Sequence, residues 1–427
     1  MTEHEVFETR LRAALAIHVA NGPTDFDAHE FARAVAAAEP RSRRRVAALH
    51  WPGIVIPRLA WVVVAAALLV IALAASGLLA GARPLAGPTS WQRVLLVPGE
   101  SSVQLSEGFL ADVVQTGSGY VGVGSTCQSC YGLSVGLVWT SQDGLAWDPV
   151  ETGDTFEGAE LRAVVAGERG LAAVGSTWLE GTQRAAVWSS PDGLTWSPAV
   201  SVAAPDGASI ADVAFAGGRY VAAGAELLSP GDDLIPRIWW SEDAANWVQA
   251  ADLAAGPSFM GIFVAVAAGG PAFVAVGWDQ GIWVSPDGDA WVQSSVSSSA
   301  VVDIATGPGG RLVVATVSGR MGASDDGEAW MWAALPGLSL PDSPLENGTL
   351  AATDWGFVVV ARPGRPGTGD GLWTSRDGIT WMPRKTIPGL PMDADLTVVR
   401  AGDAILVSAP SGTWALPGGA VSEAAIP

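Results

Sequence analysis

The residues of this chain whose types and spacing could do chemistry fall into three groups. The first is a Ser-x-Asp pair that appears six times: Ser141/Asp143, Ser190/Asp192, Ser241/Asp243, Ser285/Asp287, Ser324/Asp326 and Ser375/Asp377. Each pair is followed by a tryptophan, respectively Trp147, Trp196, Trp247, Trp291, Trp330 and Trp381. Asp accepts hydrogen bonds from backbone N–H groups of its own turn, Ser does so more weakly, and Gly closes such turns without steric cost. We read the six pairs as scaffolding, with a catalytic Asp in one copy as the alternative. The second group is Cys127 and Cys130, the only cysteines. With two residues between them, they suit a redox pair, half a zinc site or a local disulfide. Tetrahedral zinc needs two further ligands, and the four histidines (His4, His18, His29, His50) all precede the repeats. Outside the cytoplasm a structural disulfide is the favoured state. The third group is the paired acids Asp232-Asp233 and Asp325-Asp326, which suit calcium or simply solvated turns.

The elements that position these residues are repeats. The shared skeleton is Trp-x-Ser-x-Asp-Gly-x-x-Trp, first met from Trp139 to Trp147. The six serines span 234 residues in five steps, about 47 residues each. A period of about 40–50 residues with strand-like flanks signals a propeller or a solenoid. Each unit offers an apolar strand, a Gly turn, a second strand, a loop, the Trp-bearing strand, the Asp turn and an outer strand. First strands begin near Leu110, Leu161, Ile210, Ile262, Val301, Leu350 and Leu396, which makes seven units against six Asp turns. The last unit lacks an outer strand, while residues 90–96 form an orphan one with Trp91 in the role of the second Trp. Pairing the two removes both free edges and closes a ring. The expected fold is all-β: a seven-bladed propeller of four-stranded blades, closed by its N-terminal strand.

The skeleton resembles the Asp-box, or BNR, repeat of sialidases, sortilin-type receptors and photosystem-assembly propellers. Here Gly falls one place early, Ala244 and Ala245 replace it in the third copy, and Gly322 replaces the first Trp in the fifth. The resemblance covers the repeats only, and the functional diversity of that family leaves activity open. A sialidase would carry an arginine triad, a Phe/Tyr-Arg-Ile-Pro motif and a Tyr nucleophile supported by Glu. No such motif is present, and two of the three tyrosines, Tyr120 and Tyr220, occupy matching strand positions, which points to packing. The resemblance therefore implies the fold without the sialidase catalytic residues.

Charge divides the chain. Residues 1–57 hold seven acids and seven arginines, whereas residues 84–427 hold 36 acids against 14 bases. An acidic field of that size opposes nucleic acid and anionic lipid. Residues 1–57 carry two short helical patterns and the cluster Arg41, Arg43, Arg44, Arg45. Residues 59–82 hold 24 uncharged positions, and a helix of that length spans about 36 Å, enough to cross a bilayer. A cleaved signal peptide is the rival reading, but the apolar run is long and the segment before it longer still. No Cys follows the run, which excludes a lipoprotein anchor. The arginines precede it, so the positive-inside rule places the N-terminus in the cytoplasm. The expected organisation is a cytosolic helical, basic segment (1–57), a transmembrane helix (58–82), a linker (83–89) and an extracytoplasmic propeller (90–427).

Function is less constrained. The Asp turns share a face with short hairpins (167–170, 217–219, 307–310), which we read as regular and structural. The opposite face carries long, dissimilar loops (125–134, 176–184, 226–237, 362–370), where rigid scaffolds place recognition. There Trp178 and Trp278, with Glu180 and Asp279, stand outside the repeat pattern and form a candidate aromatic platform; covering strand ends is the bland alternative. The reading is a membrane-anchored, non-catalytic binding or scaffold module for a protein or glycan, with no cofactor, no metal and no nucleic acid. The alternatives are a transmembrane regulator, whose cytosolic helices bind a transcription or signalling factor, and a glycoside hydrolase-like enzyme.

Overall fold

A computed structural model describes residues 92–416 apart from 95, 97–107, 127–133, 180, 199, 203, 205, 228–233, 251–260, 271, 279–280, 295–300, 339–344, 346–348, 362–370, 385–395 and 410–411. Residues 1–91 lie outside this description, and with them the expected cytosolic helices, the membrane segment, the linker and Trp91. Among the described residues no helix is long and apolar enough to cross a membrane.

The described chain forms seven four-stranded antiparallel sheets. Blade 1 contains Phe109–Thr116, Gly119–Ser125, Gly136–Ser141 and Asp148–Pro149, paired in chain order. Blades 2 to 6 repeat this plan, with first strands Ala159–Gly167, Ala208–Ala216, Ile262–Gly269, Val301–Thr306 and Leu350–Thr353. Blade 7 is built from both ends of the repeat region: Thr397–Ala401, Ala404–Ala409 and Gly412–Leu416 pair in order, and Gln92–Val94 adds the outer strand. The closing register sets Gln92 opposite Ala415, Arg93 opposite Trp414 and Val94 opposite Thr413. Val94 and Leu96 are both buried against blades 1 and 7. The described residues form a seven-bladed β-propeller closed by the strand Gln92–Val94.

First strands contact the first strands of neighbouring blades and so surround the central channel. In blades 1 to 5 each carries a register shift, between Leu110 and Asp112, Leu161 and Ala163, Ile210 and Asp212, Phe263 and Ala265, and Val301 and Asp303. The shift drives a carbonyl against the second strand, and in blades 1 to 4 that strand has glycine there. A Cβ at Gly124 would sit 1.9 Å from the Phe109 oxygen, and one at Gly175, Gly224 or Gly277 meets the same clash at 2.0–2.1 Å. A bulge re-aims the side chains beside it.

Blades pack through the apolar faces of their middle strands. Trp139, Trp188, Trp239 and Trp283, the first Trp of four skeletons, are at most 1 % exposed. In blade 5 the missing Trp is compensated across the sheet. Trp332 stands opposite Gly322, and its ring comes within 3.0 Å of where a Cβ would be.

Candidate functional site

The six Ser-x-Asp turns are self-contained. In the second copy the Ser190 hydroxyl donates to Asp192 Oδ1 at 3.2 Å and accepts the Gly193 N–H at 2.8 Å. Asp192 Oδ1 also accepts the N–H groups of Leu194 and Thr195, and Trp196 Nε1 donates back to the Gly193 carbonyl at 3.1 Å. Ser141, Ser285, Ser324 and Ser375 hold the same bonds to Asp143, Asp287, Asp326 and Asp377, and Trp147, Trp291, Trp330 and Trp381 close their turns likewise. In the third copy Ser241 bonds Asp243 at 3.1 Å and Trp247 bonds the Ala244 carbonyl at 3.0 Å, although Ala244 adopts φ of 59°. Hydrogen bonding to the charged form holds a carboxyl down. The Asn246 backbone and side-chain amides bring Asp243 to about 2. At Asp377, burial is outweighed by the N–H bonds of Thr380 and Ile379 and by two hydroxyls, again to about 2. These carboxylates spend their acceptor capacity inside the turn, which suits a scaffold and leaves little for chemistry on a ligand. Asp325, beside the fifth turn, pairs with Arg311 at 2.7 Å.

A second set of carboxylates, missed by the sequence reading, stands at the channel. Asp112, Asp212 and Asp303 follow the bulges of blades 1, 3 and 5. Each accepts the next residue's N–H on Oδ1 and reaches across to the following blade with Oδ2. The cross-blade donors are Val164, Val266 and Leu350, all at 2.9 Å. Blade 7 ties to blade 1 through the buried Ser408 hydroxyl, which accepts the Leu110 N–H at 3.0 Å. Burial pushes Asp112 up to about 6 against the pull of its two N–H donors. Asp212 lies well above the carboxylate range for the same reason, reinforced by the charges of Asp112 and Asp303. The only sequence signal was an acid inside an otherwise apolar strand, as in Leu110-Ala111-Asp112-Val113.

A cavity of about 590 Å³ opens on the turn face between blades 2, 3 and 4. It is lined by the charged residues Glu168, Arg169, Arg219 and Glu242 and by the rings of Phe215 and Tyr220. The face read from the sequence as regular thus carries a pocket, and beside it one blade 3 position departs from its repeat. Trp240 occupies the position filled by Thr140, Ser189, Val284, Ala323 and Thr374 elsewhere. Its indole donates to Asp289 at 3.0 Å, and Arg219 stacks on it at 4.1 Å.

On the opposite face, Leu179, Leu234 and Trp278 are 53 %, 39 % and 42 % exposed. They end strands of blades 2, 3 and 4. Trp178 is half-buried, its N–H donating to the Gly158 carbonyl at 3.0 Å. Trp178 and Trp278 stand on blades 2 and 4 of this face, with blade 3 between them. Glu180, Asp279, Asp232, Asp233, Cys127 and Cys130 lie outside the described residues. Beneath this face Glu226 is buried against Arg237, which bonds it through both Nε and Nη2 at 2.8 Å.

No family model and no curated protein matches the chain. Solved propellers are similar in shape. U3-55K shares 12 % identity over 78 % of this chain and 100 % of its own, with a TM-score of 0.49. YCF48 from Cyanidioschyzon merolae shares 13 % over 76 % and 98 %, with a TM-score of 0.47. Virginiamycin B lyase from Staphylococcus aureus shares 10 % over 72 % and 94 %, with a TM-score of 0.43. Likeness at this level adds nothing to the sheet pairing that already defines the fold.

Proposed function

We propose that this chain is a membrane-anchored binding module whose propeller docks a protein partner outside the cytoplasm. The observation that carries the reading is the arc of Leu179, Leu234 and Trp278, exposed on three consecutive blades of the face opposite the turns. Single exposed apolar residues are ordinary, but apolar anchors clustered on a rigid scaffold are how interfaces bind. The domain's excess of acids selects the partner further, favouring a neutral or basic protein surface that meets the arc with apolar side chains. The anchor is the uncharged stretch 59–82 behind its arginine cluster. The test is site-specific photo-crosslinking of the full-length chain in native membranes. A crosslinker at Trp278 or Leu234 should capture a discrete protein, and one at the outer-rim residue Met331 should not. Capture at Met331 alone, or at none of the three, would sink the assignment.

A further inference from the structure

The 590 Å³ cavity of the turn face is independent of the docking arc, and three observations mark it as more than a gap between loops. The first is preorganisation. Arg219 is held by the Trp240 ring beneath it and by the Asp287 carbonyl, to which it donates. Its ion pair with Glu242 is loose, at 3.6 Å. Arg311 makes the same backbone bond to Asp377 two blades on, but its charge is matched by Asp325 at 2.7 Å. The second is uncommitted polarity. Glu168 and Arg169 are exposed at the rim, and neither forms an ion pair among the described residues. The third is local rule-breaking. Ala244, two residues from Glu242, is the only non-glycine with positive φ among the described residues, and Trp240 departs from its repeat. Departures from an otherwise consistent pattern concentrate at functional sites.

The charges select the ligand class. Two arginines repel a cation, and two glutamates in a strongly acidic domain repel an anion. A neutral molecule rich in hydroxyl groups satisfies both: carboxylates accept its O–H donors, and guanidiniums donate to its oxygens. Phe215, half-buried and packed at 4.6 Å on the buried Tyr220 ring, offers an apolar surface to the C–H face of a sugar ring. A volume of this size lies within the range of small-molecule sites, about 300–1,000 Å³. We propose that the pocket between blades 2, 3 and 4 on the turn face binds a neutral saccharide, with Glu168, Arg169, Arg219 and Glu242 as its hydrogen-bonding groups and Phe215 as its stacking surface.

The experiment is calorimetric titration of the full-length chain with cello-, malto-, chito- and manno-tetraose, and with the zwitterionic dipeptide glycyl-phenylalanine as a control. At least one sugar should bind with Kd below about 1 mM. Glu168→Gln and Arg169→Gln should each weaken it about tenfold while leaving the melting temperature unchanged, since both side chains are exposed. Glu242→Gln serves as a second variant. A neutral ligand should also bind within about twofold as well in 500 mM salt as in 50 mM, because there is no ligand charge to screen. Failure of every sugar overturns the proposal, as does binding indifferent to all three variants. Binding that collapses with salt, or binding of the dipeptide alone, replaces the saccharide by a charged ligand and overturns it equally. None of these results bears on the docking arc, whose test uses the other face.

Discussion

At the scale of single residues the propeller uses aspartate in two opposite ways. Turn carboxylates such as Asp243 are held at about 2, so they add stability above the unfolded value of 3.8 and lose it as pH falls towards 2. Asp112, at about 6, is raised. Its contribution is fully present below 3.8, where folded and unfolded states are both protonated, and is lost as pH rises through 6. The carboxyl faces the channel and keeps some solvent, so the displacement corresponds to about 3 kcal/mol at most. Asp212 acts in the same direction. Stability should therefore peak near pH 4 and decline towards pH 6–7. In Asp112→Asn that decline should flatten, because the amide does not ionise. The same variant should lose about 1 kcal/mol at pH 4, since Asn retains one acceptor for the two N–H donors of Val113 and Val164. Urea unfolding at pH 4, 5, 6 and 7 measures both effects, and parallel curves for the two proteins would refute the role given to Asp112.

At the scale of elements, the turn is the unit that repeats, and its glycine is not equally necessary in every copy. Gly144 adopts φ of 76°, and a Cβ there would meet the Ala401 side chain at 2.5 Å and its carbonyl at 2.8 Å. Gly144→Ala combines strain with a clash against backbone and should cost about 2 kcal/mol or more. Blade 3 already bears Ala244 at φ of 59°, buried in its core cluster. Ala244→Gly relieves strain but removes a buried methyl, so its net effect should stay within about 1 kcal/mol. Thermal melts of the two variants check the contrast; equal losses would mean that the turns are equivalent after all. These elements were legible in the sequence because period-two apolar runs and Asp-Gly turns are local signals. Trp332 covering Gly322 was not, because compensation across a strand pair depends on register. The bulges were not either: Gly124, Gly175, Gly224 and Gly277 read as ordinary strand glycines until a carbonyl is seen against them. The cavity escaped for the same reason, since Glu168, Arg219 and Glu242 lie on three segments that only the blade order brings together.

At the scale of the whole molecule, two joints decide how the propeller behaves. One is the seam of blade 7, where Gln92–Val94 supplies three residues of outer strand. Removing Gln92–Val94 exposes the edge of Gly412–Leu416 and takes Val94 out of the cluster that includes Leu96, Trp139 and Ala415. The deletion should lower stability by about 3–5 kcal/mol, and an unchanged melting temperature would dismiss the seam as a fastening. The other joint is the stretch that precedes it. Arg41, Arg43, Arg44, Arg45 and Arg58 lie before the uncharged run, and only Arg83 and Arg93 follow closely. In the topology proposed above, that asymmetry is what would retain the basic side in the cytoplasm and send the acidic repeats across. The prediction is read with an impermeant thiol reagent on intact cells. In a background with Cys127 and Cys130 replaced by serine, Ser42→Cys should react only after the membrane is permeabilised. Leu194→Cys, on the exposed turn of blade 2, should react at once. The reversed pattern would invert the topology. Labelling of both positions in intact cells, or of neither, would remove the membrane from the account and leave the propeller and its two faces standing alone.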